Sequence, residues 1–187
     1  VRVQKLSYTM FNNGLFSVAQ DFKGEPLMSA ESVSIPADIV PRYVVDAALA
    51  ELALTTIHHV YGAVAFATVW RFEVVAYSAG VAVLILALSF IADRHRRALA
   101  GQVAFWLNAL VITVFPVLGI GMAEGGYNHI VKNIVYFGGE GALYRQMFPA
   151  PTYEIPSDWF FEISGILQFP LALVIAWLML SAWRHRH

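Results

Sequence analysis

The chain has 187 residues, of which 58% are apolar and only 13% charged, and its mean hydropathy is +0.60. Soluble domains carry roughly 25% charged residues, so this is a membrane composition, and a formal net charge of −1 gives no basic excess of the kind nucleic-acid binding uses, so no nucleic-acid partner is expected. The absence of cysteine excludes disulfides, iron–sulfur clusters and thiolate ligands. Any metal must then be held by histidine, carboxylate or weaker oxygen donors.

In chain order, residues 1–40 mix apolar side chains with the turn signals Asn12–Asn13–Gly14 and Gly24–Glu25–Pro26. They read as an N-terminal cytoplasmic or interfacial arm. Residues 41–187 read as a transmembrane domain with four apolar segments, at about 42–69, 73–92, 99–122 and 159–183. Each approaches or exceeds the ~20 residues needed to span the hydrocarbon, and each should be helical, because lipid offers the backbone no hydrogen-bond partner. The expectation is an all-α polytopic membrane protein, a four-transmembrane-helix bundle.

Nine Lys and Arg residues fall on one side of that bundle and three on the other, namely Arg71, Lys132 and Arg145. The positive-inside rule then puts both termini in the cytoplasm. Trp70–Arg71–Phe72 makes a tight hairpin between the first two helices. The outer connection between helices three and four, about 123–158, opens with Glu124–Gly125–Gly126–Tyr127–Asn128–His129. Within it, 130–137 has the spacing of a short amphipathic helix in the interface. Ser157 is placed to cap helix four, with Asp158 beside its positive end. Pro116 and Pro170 should bend their helices.

The chemistry concentrates on helix one. Glu51, Thr55, His58, His59 and Gly62 share one helical face. Ionisable groups in a bilayer cost at least ~2.5 kcal/mol each and by default signal function. At the outer end the topology gathers His58, His59, Glu124, His129 and Glu162, while Asn108 and Gln168 supply neutral polar groups deeper down. Imidazole and carboxylate on facing helices suit a transition metal, Fe, Cu or Zn. The expected ligands are His58, His59, Glu124 and His129, although adjacent histidines point ~100° apart on a helix and seldom chelate one ion. Glu51 and Glu162 are the candidate catalytic carboxylates, as proton carriers. The spacing is not diagnostic, since Glu124 and His129 are five apart and no HExxH occurs.

The leading expectation is an integral membrane metalloprotein, an oxidoreductase or hydrolase acting on an apolar substrate from the bilayer. Haem is disfavoured, because only His129 could pair with a helix-one histidine. Two alternatives are an accessory or pigment-binding subunit of a larger membrane complex and, with a homo-oligomer supplying a missing half, an ion carrier.

Overall fold

A computed structural model describes residues 40–139 and 141–184. The expected N-terminal arm, Val40 apart, lies outside the described residues, as do His185 and His187. Among the described residues there is no strand.

Four long helices dominate. Helix α1 is Arg42–Ala65 and α2 is Arg71–Arg94. Helix α3 runs unbroken over Leu99–Phe137, and α5 is Trp159–Arg184. A short helix, α4, covers Gly141–Met147 between the last two. Three of the long helices, α2, α3 and α5, are long and apolar enough to cross a membrane. Helix α1 is equally long but carries Arg42, Asp46, Glu51, His58 and His59.

Helix α1 packs on α2 and α5, α2 packs on α3, and the second half of α3 packs on α5 and α1. The α1/α5 pair is antiparallel, as its register shows: Tyr61 donates to Asp158 Oδ2 at 2.7 Å and His58 meets Ser164 at 3.0 Å. Outward faces are apolar, with Val83, Phe90, Trp106 and Trp177 all more than 60% exposed. Soluble monomers rarely leave so much apolar surface uncovered.

Helix α3 departs most from the sequence expectation. It does not stop near residue 122, and no separate amphipathic helix follows. Instead it winds as α over Leu99–Ile112, as π over Thr113–Val131 and as α again over Lys132–Phe137. Two local causes favour unwinding at Thr113. Pro116 has no N–H to give the Ile112 carbonyl, and the Thr113 hydroxyl bonds back to the Ala109 carbonyl at 2.8 Å. Glycines then let the wide helix lie close to α5. A Cβ on Gly125 would sit 2.6 Å from the Phe169 nitrogen, and one on Gly121 would overlap Ala172. Gly125 therefore does not end a helix; it packs one.

Two smaller corrections concern the ends. The α5 cap is Asp158 rather than Ser157: the Phe161 N–H donates to Asp158 Oδ1 at 2.9 Å. That bond, then the Tyr61 hydroxyl, holds the Asp158 carboxyl below its ordinary range. The α1–α2 turn lies at residues 66–70, earlier than the expected Trp70–Arg71–Phe72, with Ala67 in the left-handed region at φ 52°. Pro116 and Pro170 both lie inside helices that continue past them.

Candidate metal centre

The ends of α1 and α3 and the starts of α2 and α5 meet at one end of the molecule, the site end. There the interior is polar. His58 and His59 project from α1, Glu124, His129 and Lys132 from α3, Phe161, Glu162 and Ser164 from α5, and Arg71 from α2, and all but Glu124 are buried.

The π winding explains how α3 delivers two of these. On an α-helix, residues five apart point about 140° from one another. A π-helix closes its hydrogen bonds over five residues, so its turn is longer and positions five apart return near the same face. Glu124 and His129 both converge on His58. His129 Nε2 lies 3.2 Å from His58 Nε2. Glu124 Oε1 lies 3.4 Å from His58 Nε2 and 3.5 Å from His129 Nε2. Gly165 makes room, since a Cβ there would overlap the His129 ring. These three residues form a buried group that can hold a metal ion.

The far side of each ring decides what its near side offers. Ser164 Oγ donates to the Phe161 carbonyl at 3.1 Å, so it accepts from His58 Nδ1–H at 3.0 Å. His129 Nδ1–H donates to Glu162 Oε2 at 2.8 Å. The other Glu162 oxygen accepts from Lys132 Nζ at 2.7 Å, and Lys132 also donates to the Glu154 carbonyl at 3.2 Å. In their neutral forms both imidazoles thus carry their proton on Nδ1 and turn an Nε2 lone pair inward. Glu124 Oε2 accepts from Asn128 Nδ2 at 2.6 Å, which leaves Oε1 to face the same point. Three acceptors aimed at one another repel unless a cation sits among them.

The size fits. Ligands about 2.0–2.1 Å from a tetrahedral ion stand roughly 3.3–3.4 Å apart, and the observed separations are 3.2, 3.4 and 3.5 Å. A carboxylate behind a ligating histidine is the usual outer support of such rings.

The other sequence candidates fall elsewhere. His59 lies beside the group: its ring meets His58 edge-on with centroids 5.0 Å apart, and its Nε2 is 3.8 Å from Glu124 Oε1. Glu162 stands behind the His129 ring, away from the convergence point. Glu51 is wholly buried and neither carboxylate oxygen has a partner among the described residues; Thr55 Oγ1 and both polar atoms of Gln168 are likewise unpartnered there. Asn108 donates to Ser89 Oγ at 2.8 Å. His95 is solvent-exposed.

Sequence reasoning missed Lys132, Arg71, Ser164 and Phe161. The first two were counted as surface cations, yet they are only 2% and 4% exposed. The usable signal was spacing: Lys132 follows His129 by three residues, a cation one helical turn from a ligand. Phe161 had no signal; its ring stacks on His58 at 4.2 Å between centroids and 20° between planes.

A cavity of about 80 Å³ opens beside the group, with room for several waters. Glu124 and His129 line it together with Trp70, Arg71, Tyr153 and Phe161. Burial pushes the Tyr153 phenol up, so it stays a donor at neutral pH. Neither Pro116 nor Pro170 lines it. Neither a protein-family model, nor a curated protein, nor a solved structure matches this chain.

Proposed function

We propose that the protein is an integral membrane metalloprotein in which all four long helices span the bilayer and His58, Glu124 and His129 hold a first-row transition ion, Fe, Cu or Zn. The observation that carries this is the convergence of two Nε2 lone pairs and a carboxylate oxygen, each tied by its other polar atom to a different partner. Two histidines and one carboxylate is the donor set both of non-haem iron oxygenases and of zinc hydrolases.

Helix α1 supports the membrane reading by its inverted amphipathicity. Glu51, Thr55, His58 and His59 face inward, while Ala53, Ile57, Val60 and Val64 face out. Water would favour the reverse. The cation bias supports cytoplasmic termini, since Arg71 and Lys132 are buried in protein and Arg145 alone remains exposed on the sparse side.

An ion held by His58, Glu124 and His129 would supply Lewis acidity to a molecule bound beside it. The protein does the rest. Glu162, backed by Lys132, keeps the His129 ring in register and its Nε2 unprotonated. Ser164 does the same for His58. Phe161 covers His58 and limits water. Glu51, about 10 Å from the histidines along α1 at 1.5 Å per residue, is the interior carboxylate available to hold a proton, and Thr55 lies between. The cavity walls carry Arg71, Lys132 and Glu154, so a small polar molecule, or the polar end of an amphiphile, fits better than a wholly apolar substrate.

Metal analysis of the protein purified in mild detergent tests the reading. About one ion per chain is expected, lost in His58→Ala, His129→Ala and Glu124→Gln. A folded wild-type protein without bound metal would leave the cluster as a hydrogen-bonded network and remove this function.

A further inference from the structure

Arg71 is a buried cation without a carboxylate. It is 4% exposed, and among the described residues no Asp or Glu oxygen lies within 4.0 Å of its guanidinium. Glu124, Glu154 and Glu162 act on it only at longer range. Its Nε donates to Thr68 Oγ1 at 2.8 Å, and Thr68 in turn donates to the Gly62 carbonyl at 3.2 Å. Its plane is held among rings, with Cζ 4.7 Å from the Phe161 centroid, 4.8 Å from Trp70 and 5.9 Å from Phe66. Gly62 lets it in: a Cβ there would stand 3.2 Å from Arg71 Cδ and 2.6 Å from Phe161. The head is thus fixed through Nε and its aromatic faces, and among the described residues no hydrogen bond occupies its two terminal nitrogens. A buried charge of this kind is expensive unless something pairs with it.

Arg71 lines the same cavity as Glu124 and His129. The charges there sum simply. Glu124, Glu154 and Glu162 against Lys132 and Arg71 leave one net negative charge, so a divalent ion on the neutral histidines leaves one net positive charge in a small, partly open space. We infer that the Arg71 guanidinium is the anchor of an anion subsite, which binds a carboxylate or a similarly small planar oxyanion beside the metal. The fork of terminal N–H groups suits two oxygens at once, and about 80 Å³ admits such a group but not a long chain. The anion is either a free small carboxylate or the head of a fatty acid whose tail leaves past Trp70, which is 46% exposed. The inference rests on the proposed metal site, because the ion is what makes the cavity cationic.

The test uses the full chain loaded with Co²⁺, whose visible absorption reports both metal uptake and any new ligand. Formate and laurate are the probes. Formate should change the Co²⁺ spectrum saturably. Arg71→Gln should take up Co²⁺ with the unliganded wild-type spectrum but bind formate about 10- to 100-fold more weakly. Arg71→Lys, which keeps the charge and loses the fork, should fall between. Laurate binding at least tenfold tighter than formate identifies an amphiphile head; equal or weaker binding identifies a free small anion. If Arg71→Gln does not fold, Thr68→Val, which frees Nε, should still weaken formate several-fold with Co²⁺ retained. Failure to take up Co²⁺ overturns the metal site and this subsite together. Co²⁺ uptake with no formate response, or formate affinity indifferent to Arg71 and Thr68, overturns the anion subsite alone.

Discussion

The two ends of the helix assembly are built on opposite rules. Toward the basic end, around the 95–98 turn, the interior is apolar: Val44, Ala48, Leu52, Ile85, Phe105, Ile112 and Ile175 pack with almost no exposure. At the site end the interior is ionic, and nearly every group is held by a partner on another helix. In the proposed bilayer setting apolar side chains gain little by leaving lipid for protein, so the apolar end would be held by shape, with close approach mattering most. The polar end is held by direction. Each bond there names one atom on one helix, and so fixes the rotation and register of α1, α3 and α5. Glu51, Thr55 and Gln168 mark the border, buried yet unpartnered.

Substitutions should separate the two ends. The largest effect is expected at the ligands. His129→Ala or His58→Ala should weaken metal binding by more than the ~10–100-fold that outer partners are worth, read by competition with a chelator. Loss of metal from neither variant would show that the ion lies elsewhere. Next comes the buried Glu162–Lys132 pair. Glu162→Leu should destabilise by about 3–5 kcal/mol, since it strands a buried ammonium. The double variant with Lys132→Met should regain most of the melting temperature while still binding metal about 10–100-fold less tightly. Equal losses in the single and double variants would mean that the pair is not coupled.

A matched pair of glycines sharpens the contrast. Gly165→Ala should drive out the His129 ring and abolish metal binding. Gly121→Ala, two turns away against Ala172, should lower thermal stability and leave bound metal unchanged. If both variants lost metal equally, the ends would not be separable. Ile85→Ala at the apolar end should cost about 2 kcal/mol, the low end of the soluble range, again with metal retained.

The smallest effect belongs to Asp158. Asp158→Ala removes the α5 cap, worth about 1 kcal/mol. Its folded carboxyl is held below the ordinary value, so its contribution is complete above the unfolded pKa, ~3.9, and fades as pH falls through the lower folded value. Stability of Asp158→Asn measured against pH should lack that acid-side decline.

Two of the four long helices, α2 and α5, lie within two residues of where hydropathy and basic flanks place them, and α1 starts where expected but ends four residues early at Ala65, because apolar runs are local properties. The polar stripe on α1 was legible for the same reason: 3.6-residue periodicity puts Glu51, Thr55, His58 and His59 on one face whatever surrounds them. The end of α3 was not. Glu124–Gly125–Gly126 looks like a helix terminus in one dimension, and only the nearby surface of α5, with Gly165 and Ala172 to receive it, makes a continued wide helix the better packing.

What the sequence by itself determined is therefore the apolar character of the helices, where the four long ones start and the identity of the donor types, all carried by composition and period. What only the tertiary structure decided is which donors meet. The π winding turned a five-residue spacing into a shared face, Gly165 admitted His129, and Glu162 and Ser164 set the tautomers. Arg71 and Lys132 became interior charges rather than surface ones. Each of these depends on atoms far apart in the chain, and hydrogen bonds between helices are chosen by geometry that no local pattern encodes.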